Sequence, residues 1–142
     1  MLYLGDFGPP FLLLMDEFSW MVGLIEGEGN FYGSKKGQMV LTIRMTDEDI
    51  IQRACNYFGG VKYKRFEPEE RSIISKKPVY QLRKSGGVTR GELHTFLQKA
   101  YPHFSGRRQA QLDHWYERAT QCQKHKGQKW TRPDVIDRNK SN

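Results

Sequence analysis

Cysteine is scarce in this sequence, and its scarcity excludes two kinds of protein. Cys55 and Cys122 are too few for a small disulfide-stabilised scaffold, and reduced thiols fit an intracellular compartment. Neither lies in a CxxC pair or near a cluster of histidines, and the four histidines are scattered. The spacing therefore predicts no zinc site.

The sequence also lacks a long apolar run. Its apolar start, residues 1–15, is broken by glycines, prolines and Asp6, and it has no basic residues of the kind that open a signal peptide. We therefore expect no membrane association. Residues 1–15 are interpreted as an irregular N-terminal extension whose Phe11–Met15 run packs on the domain. Residues 124–142 are interpreted as a basic, polar C-terminal tail.

Positive charge is absent from residues 1–34, which hold five acids and no Lys or Arg. The 142-residue chain has 23 Lys+Arg and 16 Asp+Glu, so residues 35–142 combine all 23 bases with the other 11 acids, a surplus of +12. With 8 Phe, 7 Tyr and 3 Trp, the composition is that of one folded domain. The charge distribution predicts a polyanion-binding surface beside carboxylates with another task. A solvated basic surface with no partner is the alternative.

Hydrophobic periodicity predicts one α+β domain over residues 16–123, with a largely antiparallel sheet. One face of the sheet should pack on helices, and the other should carry polar and basic side chains. The predicted elements are a helix from Asp16 to Gly27–Gly29, strands 30–34 and 38–44, a helix from Thr46–Asp49 to Gly59–Gly60, strands 61–66 and 79–84, a helix opened by a Thr89–Glu92 capping box and ended by Pro102, and a last helix over 105–121.

The segment Trp20–Phe31 combines small and acidic residues in a pattern that can support chemistry. Gly23 and Gly27 are four residues apart, so they share one helix face and allow a second helix to approach closely. If the helix ends at Gly27, Glu28 projects from its tip as an oxygen ligand suited to Mg²⁺. Two such tips side by side would suit metal-assisted phosphodiester hydrolysis. Alternatively, the glycines serve only turns and packing, and Glu28 is solvated.

The stretch Met21–Gly29 resembles the LAGLIDADG motif of homing endonucleases. Met21 stands for the first Leu, Val22 for the first Ala, and Glu occupies both acidic positions. The resemblance extends over about Phe18–Gln121. It includes Trp20 before the motif, Asn30-Phe31 after it, the strand Leu41–Thr46, Phe58-Gly59-Gly60, Leu93–Leu97, Tyr101-Pro102 and Arg107-Arg108.

This resemblance implies a saddle-shaped αββαββα unit and a site-specific double-strand DNA endonuclease. Members with a single motif are homodimers, so one copy here implies a homodimer on a long, near-palindromic target. The implied cofactor is Mg²⁺ or another divalent metal such as Mn²⁺. The implied dimer interface comprises Trp20, Gly23, Leu24 and Gly27.

The resemblance also assigns roles to individual residues. Glu28 matches the metal-binding carboxylate, with the Gly27 carbonyl as a second ligand, and Glu26 is structural. Arg107 matches a catalytic basic residue that stabilises the scissile phosphate, with Arg108 as the substitute. Arg44 ends the second strand near the cleavage centre and is assigned a catalytic and DNA-binding role.

Alternation along the strands independently predicts which side chains could reach base edges or phosphates in a major groove. A register slip of one residue would exchange Lys62 and Lys64 for Tyr63 and Arg65, and solvated surface is the alternative for each position. The strand candidates are Asn30, Tyr32, Ser34, Gln38, Val40, Thr42, Arg44, Lys62, Lys64, Gln81 and Arg83. Lys36, in the turn between the first two strands, and Arg108, which the resemblance implies, complete the candidate DNA-binding residues.

Two other functions fit the same scaffold. The chain could be an RNA-splicing maturase, with intron RNA as a partner, or a DNA-binding protein that does not cleave. In every case the expected location is intracellular, in the cytoplasm or nucleoid, or in an organelle if the gene lies in an organellar intron.

Overall fold

The computed structural model describes residues 16–34, 36–69 and 76–121. The predicted N-terminal extension 1–15 with its Phe11–Met15 run, Cys122, and the predicted tail 124–142 lie outside these residues.

The elements follow the order αββαββα and then one more helix, which confirms the predicted α+β class and element order. Four antiparallel strands form one sheet in the order β1-β2-β4-β3. The elements are α1 Glu17–Glu28, β1 Gly29–Gly33, β2 Gln38–Met45, α2 Glu48–Tyr57, β3 Tyr63–Phe66, β4 Val79–Gly87, α3 Glu92–Ala100, a 3₁₀ turn Tyr101–His103, and α4 Gly106–Thr120.

Helix α1 begins and ends where its local sequence predicts. The Asp16 carboxylate accepts a hydrogen bond from the Ser19 amide at 2.6 Å, which satisfies one of the unpaired donors of the first turn. At the other end the chain passes directly from Glu28 into β1 at Gly29. A Cβ atom on Gly29 would lie 2.7 Å from the Ile25 carbonyl oxygen, so this close passage requires glycine.

The core lies between the helices and one face of the sheet. Met21 and Ile25 of α1 are completely buried there, as are Leu41 and Ile43 of β2 and Leu82 of β4. Helices α3 and α4 complete this layer with Leu93, Phe96, Leu97, Ala100, Leu112, Tyr116 and Ala119. The described helices therefore cover one face of the sheet, and none of the helices in 16–34, 36–69 and 76–121 lies on the other face.

Two predicted helix starts are wrong in detail. Helix α3 has Gly91 as its N-cap, at φ +105°, instead of a Thr89–Glu92 capping box. The Glu92 carboxylate binds the Lys84 ammonium at 2.5 Å instead, because β4 brings that cation beside the first turn of α3. Helix α2 begins one residue after Asp47, not at Thr46.

Strands β3 and β4 also differ in length from their predictions. Strand β3 begins at Tyr63, so Lys62 precedes it, and β4 continues through Gly87 because it stays paired with β2 as far as Gln38. Lys64 pairs with Gln81 across these strands, so the two side chains share one face, as the alternation predicts.

The ladders identify the side chains on the sheet face turned away from the helices, here called the open face. Tyr63 and Arg65 belong to the helix-covered face, since they pair with Leu82 and Tyr80 of the core. The open face carries Asn30, Tyr32, Gln38, Val40, Thr42, Arg44, Lys64, Phe66, Val79, Gln81, Arg83 and Ser85.

Candidate nucleic-acid interface and the end of helix α1

The open face is basic and contains no acidic strand residue. Its cations are Arg44, Lys64 and Arg83, from three neighbouring strands. The ion pairs of Arg65 with Glu67 and of Lys84 with Glu92 involve strand cations of the opposite face. Among the described residues, the cations of the open face therefore have no ion-pair partner, which suits a polyanion.

Most of the candidate DNA-binding residues lie on this face or at its rim. Asn30, Arg44, Lys64 and Arg83 are exposed, whereas Tyr32, Gln38, Thr42 and Gln81 are half-buried. Lys36 is exposed in the β1–β2 turn, and Lys62 is exposed just before β3. The Ser34 hydroxyl accepts the Gln38 amide hydrogen at 3.2 Å, so it helps to close that turn.

Val40 differs from the other candidates on the open face. It has no exposed surface, and its neighbours across the ladders are Tyr32 and Ser85. A completely covered side chain offers no surface to a base edge. Strand alternation predicted the correct sheet face for Val40 but not its burial. Val40 is therefore not a candidate DNA contact.

The side chain of Arg44 points away from the end of α1. Its guanidinium carbon lies 5.3 Å from the centre of the Phe66 ring, on β3, and β4 lies between β2 and β3. Strand β1, which continues from α1, is on the other side of β2. Arg44 follows Ile43, the ladder partner of Gly29, so its backbone lies near the end of α1, but its guanidinium contacts an aromatic ring across the sheet.

Phe66 was missing from the candidates selected by sequence. The signal was present, since Phe66 is in phase with Lys64 along the predicted strand 61–66. A solvated sheet face is expected to carry polar side chains, and Phe66 is an apolar side chain on the same face as Lys64.

Glu28 is the last residue of α1, and its side chain is exposed. No hydrogen bond or ion pair of its carboxylate occurs within 16–34, 36–69 and 76–121. The last carbonyls of a helix have no partner within it. At this end Ile25 accepts the Gly29 amide hydrogen and Glu26 accepts from Arg108, while Glu28 leads directly into the β1–β2 ladder at the Gly29–Ile43 pair. A solvent-facing carboxylate beside the Gly27 carbonyl is a donor set that fits Mg²⁺ with additional water or phosphate ligands.

Glu26, two residues earlier, has a different environment. Its carboxylate accepts hydrogen bonds from the Ser105 amide at 2.5 Å and the Ser105 hydroxyl at 3.0 Å, immediately before α4. The Arg108 Nε donates to the Glu26 carbonyl at 3.1 Å and lies 3.6 Å from its carboxylate. Glu26 thus places a negative charge at the positive end of α4 and joins α1 to that helix.

The two predicted arginines have different environments. Arg108 is buried, and it also donates to Gln111 Oε1 at 2.8 Å, so its guanidinium is occupied by the protein. Burial lowers the pKa of Arg108, as does the neighbouring charge of Arg107, while Glu26 and Glu28 act against this shift. Arg107 is exposed in the first turn of α4. Arg107 is therefore the arginine that a ligand can reach. Arg108 is not a candidate DNA contact, because it is buried and bound within the protein.

Adjacent substitutions can separate these roles. Arg108→Met should lower the free energy of unfolding by about 2 kcal/mol, because the charged contacts to Glu26 and Gln111 are lost inside the protein. Arg107→Met should change it by less than about 0.5 kcal/mol, because that side chain is exposed. Urea unfolding of both variants measures the difference, and equal losses would contradict this assignment.

The face of α1 that carries Gly23 and Gly27 is exposed to solvent. Gly23 and Gly27 are exposed, and a Cβ atom on either would meet no atom within 4 Å. Trp20 and Leu24 are half-buried beside them, with the Arg53 guanidinium 4.0 Å above the Trp20 ring. Packing against the residues that the structure describes thus does not require glycine at either position.

Two features are absent from the described part of the chain. Residues 16–34, 36–69 and 76–121 contain no cluster of three or more His, Cys, Asp and Glu side chains able to hold a metal ion. Within the same ranges, no helix has both the length and the apolar character needed to cross a membrane.

No protein-family model matches the chain, and no curated protein matches it. Among solved structures, the chain is similar to the archaeal intron-encoded homing endonuclease I-Vdi141I complexed with DNA. The TM-score is 0.45, with 16% sequence identity, over 89% of this chain and 98% of that chain.

Proposed function

We propose that this protein is a site-specific DNA endonuclease that acts as a homodimer and requires a divalent metal ion. The proposal rests on three features that occur together. The open face is basic, the Glu28 carboxylate is exposed at the end of α1, and Gly23 and Gly27 leave one face of that helix free for close contact. A binding surface alone would not need a solvent-facing carboxylate near bound phosphates, because that charge repels them.

The dimer in this proposal forms through α1. Gly23 and Gly27 allow close helix contact, and half-buried Trp20 and Leu24 would bury their remaining apolar surface. Helix α1 contains no Lys or Arg, and the Arg53 guanidinium that lies over the Trp20 ring is paired with Glu17 of the same helix. Two-fold symmetry would place one Glu28 from each chain near the axis and favour a near-palindromic target.

The catalytic residues proposed are Glu28 and Arg107. Glu28, with the Gly27 carbonyl, would hold the divalent ion, Mg²⁺ or Mn²⁺. When bound, such an ion supplies Lewis-acid stabilisation of the negative charge on the phosphate. Arg107, at the positive end of α4, would offset charge that develops on the phosphate during attack by water. Arg44 is proposed as a DNA contact and not as a catalytic residue.

The open face would position the duplex. Arg83 and Lys64 would bind phosphates or guanine edges, and the amides of Asn30, Gln38 and Gln81 have the donors and acceptors that read adenine. The rim residues Ser34, Lys36 and Lys62 would contact the backbone. The protein would act inside the cell, wherever its target DNA is found.

The decisive experiment uses the allele of the gene's own locus from which the intron or intein is absent. The purified chain should cut both strands of this DNA when Mg²⁺ is present and leave it intact in EDTA. Binding without cleavage under both conditions would favour the non-cleaving DNA-binding protein. Tight binding to intron RNA with no Mg²⁺-dependent nicking of DNA would favour the maturase.

A phosphate contact predicts a characteristic salt dependence. Arg83→Ala should reduce the slope of log affinity against log salt concentration by about 1 for each copy of the chain, because one fewer counterion is released. Arg65→Ala removes an exposed arginine from the opposite face, where it pairs with Glu67, and should leave the slope unchanged. Fluorescence anisotropy at several salt concentrations measures both, and equal slopes would argue against DNA on the open face.

A further inference from the structure

Phe66 is an apolar side chain on a charged surface, at the end of the edge strand β3. Among the residues that the structure describes, it is the only large hydrophobic residue that is exposed, at 40%. It lies on the open face, opposite Val79 and two residues after Lys64. The exposed part of the ring adds nothing to the core and is free to contact a partner bound on the open face.

The surroundings of Phe66 favour a partner that is anionic but carries small apolar groups. Arg44 lies over the ring, and neither Arg44 nor Lys64 has an acidic neighbour on the open face. Duplex DNA has this combination in its major groove, where phosphates flank the groove and each thymine presents a 5-methyl group. An acidic protein surface would satisfy the cations but would leave the ring exposed.

We propose that Phe66 is a specificity-determining residue that contacts the 5-methyl group of a thymine in the major groove. This inference rests on the proposed function, since it needs duplex DNA on the open face. The same ring holds the Arg44 guanidinium across β4, so less side-chain freedom is lost when Arg44 binds a neighbouring base or phosphate.

A methyl contact suits this ring better than base stacking does. Stacking needs a free ring face, but the Arg44 guanidinium lies over the Phe66 ring at 5.3 Å from its centre, and more than half of the side chain is already covered. A methyl group needs only the exposed part of the ring. Stacking on single-stranded RNA would require Arg44 to move away first.

The test removes the methyl group and nothing else. A duplex is selected from a randomised library by binding to the wild-type chain, and each of its thymines is replaced singly by deoxyuridine. In the wild type, affinity should fall about fourfold at one thymine in each half-site, as expected for one buried methyl group. In Phe66→Ala, no single replacement should change affinity, whereas Phe66→Leu should retain part of the effect.

Arg83→Ala serves as the matched control on the same face. It should weaken binding to every duplex and keep the fourfold difference between thymine and deoxyuridine. The inference is overturned if no thymine in the wild type is sensitive to its methyl group, or if Phe66→Ala retains the sensitivity. It is also overturned if Phe66→Ala weakens binding of single-stranded RNA more than binding of the duplex. Failure of the wild type to bind any duplex would instead overturn the proposed function itself.

Discussion

Glu28→Gln is expected to reduce metal-dependent DNA cleavage by at least about 100-fold while leaving the protein folded and able to bind DNA. The amide has nearly the same shape as the carboxylate but no negative charge, so it is a poor ligand for a divalent cation. Because Glu28 is exposed and makes no internal contact in the described part of the chain, its loss should change the free energy of unfolding by less than about 0.5 kcal/mol. Single-turnover cleavage at saturating enzyme measures the loss.

The matched control is the same substitution two residues earlier. Glu26→Gln weakens the hydrogen bonds to Ser105 and the charged contact with Arg108, so it should lower the free energy of unfolding by about 1–2 kcal/mol. Below its unfolding temperature this variant should still cleave. If Glu28→Gln cleaved at the wild-type rate, or if Glu26→Gln alone abolished cleavage without loss of stability, the assignment of these two acids would be wrong.

Replacing both Gly23 and Gly27 by Leu should have opposite effects on the monomer and on the dimer. Nothing lies within 4 Å of a Cβ atom at either position, and Leu favours helix more than Gly does. The isolated chain should therefore gain about 1–2 kcal/mol in unfolding free energy. Two bulky side chains would hold the paired helices apart, and the dimer dissociation constant should rise by at least about 100-fold.

Sedimentation velocity over a range of concentrations measures the dissociation constant, and thermal unfolding at the lowest concentration reports on the monomer. Gly106→Leu is the control, because Gly106 also lies in a helix with open space around its Cβ position but belongs to α4. It should leave the dimer intact. A wild-type chain that remains monomeric at all concentrations, or a double variant that dimerises as well as the wild type, would rule out α1 as the dimer interface.

Much of the fold could be predicted because its signals are local. The alternation in Gln38–Met45 indicated which side chains face away from the core, and the glycines after Ile25 indicated where α1 ends. The capping prediction at Thr89 was wrong because two features competed there. The backbone entered α3 through Gly91 at positive φ, and Lys84 of the neighbouring strand took the Glu92 carboxylate.

The candidate site was only partly predictable, because several of its features depend on residues far apart in the chain. The sequence by itself determined that Glu28 follows the last turn of a helix with a glycine face, and that the positive charge lies after residue 34. Helix periodicity, strand alternation and composition are properties of short segments, so they can be read directly. Only the tertiary structure decided that Arg108 is bound to Glu26, that Arg44 turns toward Phe66, and that Val40 is covered. Those outcomes depend on which strands and helices become neighbours, and no local pattern specifies that.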